Sequence, residues 1–157
     1  MAQEWREHGE DRYRPVLEDF EAYLAEVRRF EDAATVPPGW VRCTVLCLEV
    51  DGEIVGCARL RFELNASLEQ EGGHIGYDVR PSARGRGFGD MILRLVLPEA
   101  RRAGLERALI TADADNYPSL RIIEKNGGVL SGEVVSVESG KLVRRYWVDL
   151  TACPSSP

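Results

Sequence analysis

The chain has 157 residues, with 20 Lys and Arg against 26 Asp and Glu, a net charge of −6 at neutral pH and a pI near 5.1. A chain of this length fits one domain and buries roughly 68–70% of its unfolded surface, so its core needs neither disulfides nor a structural metal. The net acidity argues against a general nucleic-acid-binding protein, which would carry a basic face.

The charge is distributed unevenly along the chain. Residues 1–33 hold ten acidic and five basic side chains, whereas residues 74–107 hold four acidic and seven basic ones. Arginine dominates the basic set, and its planar fork of donors suits phosphate. The middle of the chain is therefore suited to an anionic ligand, and the N-terminal part is not.

The sequence has no recognisable membrane or secretion signal. The N-terminus lacks the apolar core of a signal peptide, and no stretch approaches the ~20 apolar residues that span a bilayer. Cys43, Cys47 and Cys57 have no second Cys or His pair at zinc spacing, so we interpret them as small core hydrophobes rather than metal ligands. We expect a protein of the reducing cytoplasm with no metal site and no membrane partner.

The first half of the chain predicts a helix and then a β-hairpin. Apolar residues recur at helical spacing over residues 16–33, and Pro37-Pro38-Gly39 then breaks the chain after this acidic helix. Two strand-like runs, at 43–50 and 54–64, flank Asp51-Gly52, which is a strong hairpin-turn signal. Residues 65–73 predict a loop.

The second half alternates strands and helices. In chain order these are a strand at 74–80, a helix at 87–104, a strand at 107–112, a helix at 117–128 and a strand pair at 129–150. Strand, helix and strand in succession give a parallel pair, and hairpins flank it. We therefore predict an α/β (α+β) fold with a mixed sheet and flanking helices, forming one domain over residues 1–157.

The loop between the strand at 74–80 and the next helix is the most informative stretch. Glycines at 85, 87 and 89 let the backbone approach a ligand and adopt positive φ, and the free N–H groups of the helix's first turn favour an anion. With Arg84 and Arg86 this loop is suited to a pyrophosphate, the alternative being a turn with solvated arginines. A dinucleotide fingerprint would need a glycine at Ile92, and a P-loop would need the absent GK[ST].

The sequence Arg84-Gly85-Arg86-Gly87-Phe88-Gly89 resembles the (Q/R)xxGx(G/A) signature of the GNAT superfamily of N-acetyltransferases. The strand YDVRP, the helix after the loop, the strand RALITA and the segment NYPSLRIIEKNGG also resemble the core of that superfamily, over roughly residues 40–150. The resemblance implies a sheet whose central strands splay apart to admit acetyl-coenzyme A. It also implies direct transfer of the acetyl group to a primary amine in a ternary complex.

The resemblance further implies which residues contact acetyl-coenzyme A, in a cofactor core at about 74–128. The pyrophosphate would lie on the loop, the pantetheine would run along the main chain of the approach strand, and the helix after residue 116 would contact the cofactor from the opposite side. The implied residues are Tyr77, Val79, Arg84, Gly85, Arg86, Gly87, Phe88, Gly89, Asn116 and Ser119. Phe88 could instead pack under its own helix.

Acetyl transfer to an amine requires a base. An alkylammonium of pKa ~10.4 costs about 4.6 kcal/mol to deprotonate at pH 7. Several GNAT enzymes carry a glutamate base at the position that is Gly73 here. The adjacent His74 is the first candidate for the base, because its ordinary pKa of ~6.5 lets it accept a proton. Alternatively, His74 caps the strand through a hydrogen bond. Asp78, on the same strand face, is the second candidate, unless it is solvated or paired.

The acid that protonates the departing thiolate is also missing from its usual place. The family often carries a tyrosine seven residues after the asparagine, and that position is Ile123 here. Tyr117 is our candidate and Tyr77 a further one, although both could simply pack and the thiolate could leave unaided. A non-catalytic acyl-coenzyme A sensor of the same fold is therefore the alternative function, and an unrelated phosphate-ligand binder is a third.

The sequence does not name the acceptor amine, which stays open between a small molecule and a peptide. Variable segments form the acceptor pocket in this superfamily, and they correspond here to the first helix, residues 65–73 and the final hairpin. Trp40 either lines this pocket or belongs to the core. Carboxylates such as Glu18 and Glu21 either attract a cationic amine or face solvent. Homodimers are common in this superfamily, and the oligomeric state stays open.

Overall fold

The computed structural model of the chain describes residues 1–151, so the last residues of the predicted domain lie outside the described part. The helices are α1 (Ala2–Glu7), α2 (Arg14–Glu18), α3 (Phe20–Glu31), α4 (Ala66–Gln70), α5 (Phe88–Arg102) and α6 (Tyr117–Lys125). The strands are β1 (Cys43–Val50), β2 (Glu53–Arg61), β3 (Ile75–Val79), β4 (Arg107–Asp113), β5 (Gly128–Val135) and β6 (Leu142–Asp149). The predicted order from β1 to β6 is present, and α1 and α4 are additional.

The predicted single helix over residues 16–33 is wrong, because the chain breaks it at Asp19. This residue adopts an extended conformation, with φ −155° and ψ 100°, and its Oδ1 accepts a hydrogen bond of 2.9 Å from the N–H of Ala22. Aspartate is among the best N-cap residues, and here it ends α2 and begins α3. The predicted loop at 65–73 likewise contains α4, which Asn65 caps by accepting a hydrogen bond from Leu68.

Two three-stranded antiparallel sheets form the centre of the molecule. Their strand orders are β1-β2-β3 and β4-β6-β5. The hairpin predicted at Asp51-Gly52 joins β1 to β2, with φ of 52° and 79° as a type I′ turn requires. The predicted parallel pair, β3 and β4, lies at the junction of the two sheets, where the described residues form no ladder between them. The centre of the fold is therefore split, and that split leaves one edge of β3 unpaired.

The core lies between the sheets and helices α5 and α6. Helix α5 packs against β2 and β3, and α6 packs against α5, β4 and β5. The largest fully buried side chains include Leu60, Ile75, Leu93, Ile110, Ile123 and Tyr146. The opposite face of the first sheet carries Cys57, Arg59 and Arg61, because alternate residues of a strand point to opposite faces. The first sheet thus separates an apolar core from a polar face.

The cysteines differ from the prediction in one respect. Cys57 is buried and Cys43 half-buried, but Cys47 is exposed, so it is not a core residue. All three lie on the polar face of the first sheet, where Cys47 stands directly opposite Cys57. Residues 1–151 contain no helix long and apolar enough to span a bilayer and no cluster of three or more potential metal-ligating side chains.

Candidate active site

The glycine-rich loop opens a helix toward a cleft. Helix α5 begins at Phe88 after Gly87, whose φ is 83°, and no side chain caps its first turn. Gly85 has φ 73°, and an added Cβ at Gly85 or at Gly87 would have no atom within 4 Å. The loop therefore combines a left-handed backbone with open space above it, and the first N–H groups of α5 have no partner within the helix.

These features match what a pyrophosphate needs. The cleft in front of the loop has a volume of about 760 Å³ and is bordered by the loop, β3, the start of α6 and the N-terminal segment. Arg84 and Arg121 both line it and supply guanidinium groups beside the N–H groups of α5. The residues present thus fit an anionic, extended cofactor.

Strand β3 offers main-chain groups along the cleft. The N–H of Arg80 donates to the carbonyl of Val55 on β2 at 2.9 Å. Because antiparallel pairing alternates, Tyr77 and Val79 then direct their main-chain groups away from β2. The carbonyl of Val79 indeed accepts a bond from Arg84 Nε at 3.2 Å rather than from a strand. The unpaired edge of β3 can therefore supply donors to a carbonyl oxygen on which charge develops.

Most of the predicted cofactor residues lie around this one cleft. Those lining it are Tyr77, Val79, Arg84, Gly85, Gly87, Phe88, Gly89, Asn116 and Ser119. Arg86 does not line the cleft. Its guanidinium lies over the Phe88 ring, 5.0 Å from the ring centre. Arg121 also lines the cleft, and the sequence analysis did not predict it. Its position one turn into α6 after Asn116 could have indicated this.

Asp78 lies in the cleft and is held by the N-terminal segment. Its carboxylate accepts bonds of 2.8 Å from the Tyr13 hydroxyl and pairs with Arg12 at 3.3 Å, and its side chain is only 12% exposed. Burial raises the pKa of Asp78 above the ordinary value, while Tyr13 and Arg12 act in the opposite direction. The carboxylate is thus held in a fixed position and is a better proton acceptor than a solvated aspartate.

A second cavity, of about 600 Å³, adjoins the cleft at Arg12, which lines both. It lies between α3 and the polar face of the first sheet, with α4 at one end. Trp40, for which the sequence left two roles open, is 67% exposed, lines this cavity and packs edge-on against Phe30 at 5.5 Å. The two cavities share Arg12, which pairs with Asp78, and together they provide space for two substrates.

His74 lies away from both cavities and bridges the two sheets. Its ring Nδ1 accepts a hydrogen bond of 3.0 Å from the backbone N–H of Leu109, and the backbone N–H of His74 donates to the Leu109 carbonyl at 2.7 Å. The side chain is 7% exposed, and burial, Arg61 and Arg107 lower its pKa. Its Nδ1 lone pair is engaged and the neutral ring then carries its proton on Nε2, so the geometry favours the strand-capping role over the base role.

The two positions at which the superfamily's usual catalytic groups are missing have structural explanations. Gly73 has φ 61°, and a Cβ there would collide with the carbonyl oxygen of Leu109. Ile123 is fully buried in the core rather than directed at the cleft. Tyr117 is 64% exposed and does not line the cleft, whereas the Tyr77 hydroxyl lies in it, 3.0 Å from Ser119 Oγ. The geometry therefore favours Tyr77 over Tyr117 as a proton donor.

The N-terminal segment contributes to the site, which the sequence reasoning did not anticipate. Trp5 is 3% exposed, and its ring lies 4.8 Å from the Arg84 guanidinium. The Glu4 carboxylate accepts hydrogen bonds from the N–H and hydroxyl of Ser82, and Glu10 lies 3.7 Å from Arg84. Aromatic residues at 5 and 13, in an otherwise polar segment, are the signal that could have indicated this packing.

The acidic N-terminal residues do not gather on the second cavity. Glu18 pairs with Arg14 at 3.3 Å, and Glu21 is an exposed residue that does not line this cavity. Among the carboxylates of residues 1–33, Glu26 is the one that lines it. Two others, Glu4 and Glu10, instead face the glycine-rich loop. The prediction of an acidic surface attracting a cationic acceptor therefore finds little support.

Comparisons with known proteins agree on the fold. The acetyltransferase (GNAT) family pattern matches residues 3–128. A ribosomal-protein-alanine N-acetyltransferase from Brucella melitensis has a similar structure, with TM-score 0.62 and 21% identity over 85% of this chain and 78% of that one. YncA, a putative acetyltransferase from Salmonella typhimurium solved with its cofactor acetyl-CoA, gives TM-score 0.57 and 21% identity over 71% and 67%.

A third similar structure is a chimera of the spermidine N-acetyltransferase SpeG from Vibrio cholerae and hSSAT. Its TM-score is 0.53, with 17% identity over 66% of this chain and 63% of that one. A comparison with curated protein sequences gives no significant match. The family pattern covers most of the chain, from the N-terminal segment to the end of α6, and the split sheet and glycine-rich loop agree with it. The chain therefore belongs to the GNAT family of acetyltransferases.

Proposed function

We propose that the protein transfers the acetyl group of acetyl-coenzyme A directly to a primary amine within a ternary complex. The observation that carries this proposal is a pair of cavities that share Arg12, the ion-pair partner of Asp78. One cavity is bordered by the glycine-rich loop and the other by α3. Two substrates bound in these cavities would meet without a covalent enzyme intermediate. The acetyltransferase relatives support acetyl transfer, and their names differ in the acceptor.

The residues around the cleft have distinct roles in this proposal. Arg84, Arg121 and the first N–H groups of α5 hold the pyrophosphate, and the free edge of β3 at Tyr77 and Val79 holds the pantetheine. When bound, acetyl-coenzyme A supplies a thioester, and its C–S bond breaks as the N–C bond to the amine forms. Asp78 accepts the proton that the amine loses, because it is the buried carboxylate that lines the cleft and pairs with Arg12, the residue common to both cavities.

The Tyr77 hydroxyl is the proposed donor to the sulfur that leaves. Burial raises its pKa, and the hydroxyl has a partner in Ser119 Oγ at 3.0 Å. With the Tyr77 hydroxyl as the donor, the reaction does not require a tyrosine at position 123, where this chain has Ile123. The free thiols at Cys43, Cys47 and Cys57 are in keeping with a reducing compartment, which we propose is the cytoplasm.

Calorimetric titration with acetyl-coenzyme A tests the proposal. We expect the wild type to bind and Gly87→Glu to bind at least tenfold more weakly, because the new carboxylate would stand in the open space that the anion needs. Gly104→Glu is the matched control: it also replaces a glycine with positive φ and open surroundings, at the far end of α5. Equal binding by the Gly87→Glu and control variants would contradict the proposed cradle.

A second measurement distinguishes the proposed enzyme from the alternative, a non-catalytic acyl-coenzyme A sensor. A broad panel of amines is offered with acetyl-coenzyme A, and the release of the free thiol is followed. Turnover with any amine, above the rate of hydrolysis without one, excludes the sensor. Tight binding with no turnover across the panel would instead favour the sensor over the enzyme.

A further inference from the structure

The second cavity contains two arginines that have no acidic partner. Arg59 and Arg61 lie two residues apart on β2, so their side chains project from the same face of the sheet into this cavity. Among residues 1–151, neither forms an ion pair with a carboxylate. Arg61 donates to the carbonyls of Gly72 and Gly73 at 3.1 and 3.0 Å, which fixes its guanidinium in place.

The surroundings make the positive charge of half-buried Arg61 costly unless an anion joins it, whereas Arg59 is exposed and adds a second positive charge beside it. Burial and the neighbouring charge of Arg59 both lower the pKa of Arg61. Buried charges in proteins are normally paired, because the loss of hydration must be compensated. The other arginine of the cavity, Arg12, is already paired with Asp78 at 3.3 Å. The unbalanced charge therefore belongs to Arg59 and Arg61.

We propose that Arg59 and Arg61 bind an oxyanion on the acceptor, so that the acceptor is an amine that also carries a carboxylate or phosphate group. This inference rests on the proposed acetyl transfer and names the acceptor class that it uses. A guanidinium holds such a group through two parallel N–H bonds, which fixes orientation as well as adding affinity. A purely cationic polyamine would meet two uncompensated positive charges in this cavity.

The position of the arginines suits such a molecule. Asp78 stands opposite Cys57 in the register of β2 and β3, and Arg59 stands opposite Gly76. Two residues along a strand span about 7 Å, so Arg59 and Arg61 lie about 7 and 14 Å along β2 from the row of Asp78. An acceptor bound by its oxyanion at Arg59 can thus direct its nitrogen along β2 toward Asp78.

Glu26 does not cancel the positive charge of this cavity. It is exposed on α3 and forms no ion pair within the part of the chain that the structure describes. Its carboxylate lies across the cavity from the sheet that carries both arginines. It is suited to contact a second ammonium group when the acceptor has one, and it leaves the oxyanion site intact.

Pairs of amines that differ only in the oxyanion test the inference. The pairs are 4-aminobutyrate and butylamine, L-phenylalanine and phenethylamine, and O-phosphoethanolamine and ethanolamine, with spermidine as the cationic probe. We expect kcat/KM to be at least tenfold higher for the acidic member of at least one pair, with the carboxylate and phosphate pairs identifying the preferred oxyanion. Activity with spermidine and with the members that lack the oxyanion that equals or exceeds the activity with every acidic member would overturn the inference.

Arginine variants locate the effect. Arg59→Gln should raise KM for the preferred acidic amine at least tenfold while leaving kcat and the KM for acetyl-coenzyme A within twofold. Arg28→Gln, which removes the same charge from the exposed side of α3, should change none of these values. Because Arg61 also holds the loop at residues 72–73, its role in the oxyanion site is tested with Arg61→Lys, which carries a smaller risk to folding than removal of the charge. An Arg59→Gln enzyme with unchanged KM for the acidic amine would reject the site.

Binding without acetyl-coenzyme A separates this inference from the proposed function. Calorimetry of the preferred acidic amine with wild type and Arg59→Gln reports the oxyanion site alone. If acetyl-coenzyme A binds and amines turn over, but the acids neither bind nor react, the inference fails and the function stands. If the acids bind through Arg59 and acetyl-coenzyme A does not bind, the oxyanion site stands and the function fails.

Discussion

Asp78 is the single residue on which the proposed chemistry depends most. Its neighbours act on it in two opposed ways. The buried setting and the charge of Glu10 raise its pKa, whereas the Tyr13 hydroxyl and Arg12 stabilise the ionised form. Cys57, opposite Asp78 on β2, also faces it. The outcome is a carboxylate that stays positioned and is more basic than one in water, as proton transfer from an amine requires.

Replacing Asp78 by Asn should lower kcat/KM by about 100-fold or more while acetyl-coenzyme A binding stays within twofold. Removal of a general base typically costs 10²–10⁴-fold, and the amide keeps the size of the side chain. Steady-state kinetics and calorimetry measure the two quantities. Asp113→Asn, which removes a carboxylate paired with Lys141 at 3.1 Å and outside the cleft, is the control and should leave both unchanged.

The pH dependence of activity also tests whether Asp78 is the base. Only the ionised carboxylate accepts a proton, so kcat/KM should rise with pH through the pKa of Asp78, which lies above the ordinary 3.8. Asp78→Asn should lose this acid limb. A limb that persists unchanged in the Asn variant would assign the titration to another group.

At the scale of elements, the N-terminal segment and the glycine-rich loop form one unit. Residues 1–13 cover the loop through Trp5, Glu4 and Glu10, and Arg84 is held between the Trp5 ring and the Glu10 carboxylate. Under the proposed function, a pyrophosphate bound at the loop would compete with Glu10 for this guanidinium, because the acidic N-terminal segment lies over the loop.

Glu10→Gln should strengthen acetyl-coenzyme A binding about two- to fivefold. The Glu10–Arg84 pair is roughly half exposed on both sides, and exposed pairs are worth roughly 0.2–1 kcal/mol, which sets that range. Calorimetry at two salt concentrations measures it, and the gain should shrink at the higher one. Glu7→Gln removes the same charge from α1 at an exposed position and should have no such effect; an equal gain there would indicate a general charge effect.

At the scale of the whole molecule, His74 connects the two sheets. Both of its bonds to Leu109 cross the junction where β3 and β4 diverge. The bond to Nδ1 exists only while the ring is neutral. The stability of the entire fold is therefore linked to the protonation of one buried side chain.

The wild type should lose stability as pH falls below about 6.5, and His74→Ala should not show this loss. Burial, Arg61 and Arg107 depress the pKa of His74 in the folded state, so the unfolded chain binds the proton first. The contribution is complete above the unfolded pKa of ~6.5 and disappears as pH falls toward the folded one. Thermal unfolding between pH 5 and 8 measures it.

The same variant separates the structural role of His74 from a catalytic one. At pH 7.5, His74→Ala should lower the free energy of unfolding by about 1–3 kcal/mol, because the Leu109 N–H is left without an acceptor. Its kcat/KM, measured well below its Tm, should fall less than tenfold. A variant of unchanged Tm with a much larger loss of activity would restore His74 as the base.

In the folded molecule, the charged side chains behind the net charge of −6 lie on different surfaces. The basic middle of the chain supplies Arg84 to the cleft, where the acidic N-terminal segment partly neutralises it through Glu10. The second cavity, by contrast, keeps two unpaired arginines from β2, outside both regions that the sequence distinguished. Charge counted along the chain therefore gives no guide to the acceptor.

The sequence alone determined the features that depend on neighbours in the chain. The Asp51-Gly52 turn, the alternation of strands and helices, and the loop from Arg84 to Gly89 all follow from local backbone preferences and periodicity. Nine of the ten residues predicted to contact the cofactor therefore line one cleft. The groups that transfer protons cannot be selected in this way, because the roles of His74 and Tyr117 depend on what surrounds them rather than on their position in the chain.

Only the tertiary structure decided which distant residues meet. Tyr13 reaches Asp78 across 65 residues of sequence, and His74 finds Leu109 instead of the cleft. The separation of the sheets at β3 and β4, and the two arginines of β2 facing α3, also result from long-range packing. Such contacts depend on the burial of side chains against remote elements, and periodicity within a segment carries no information about them.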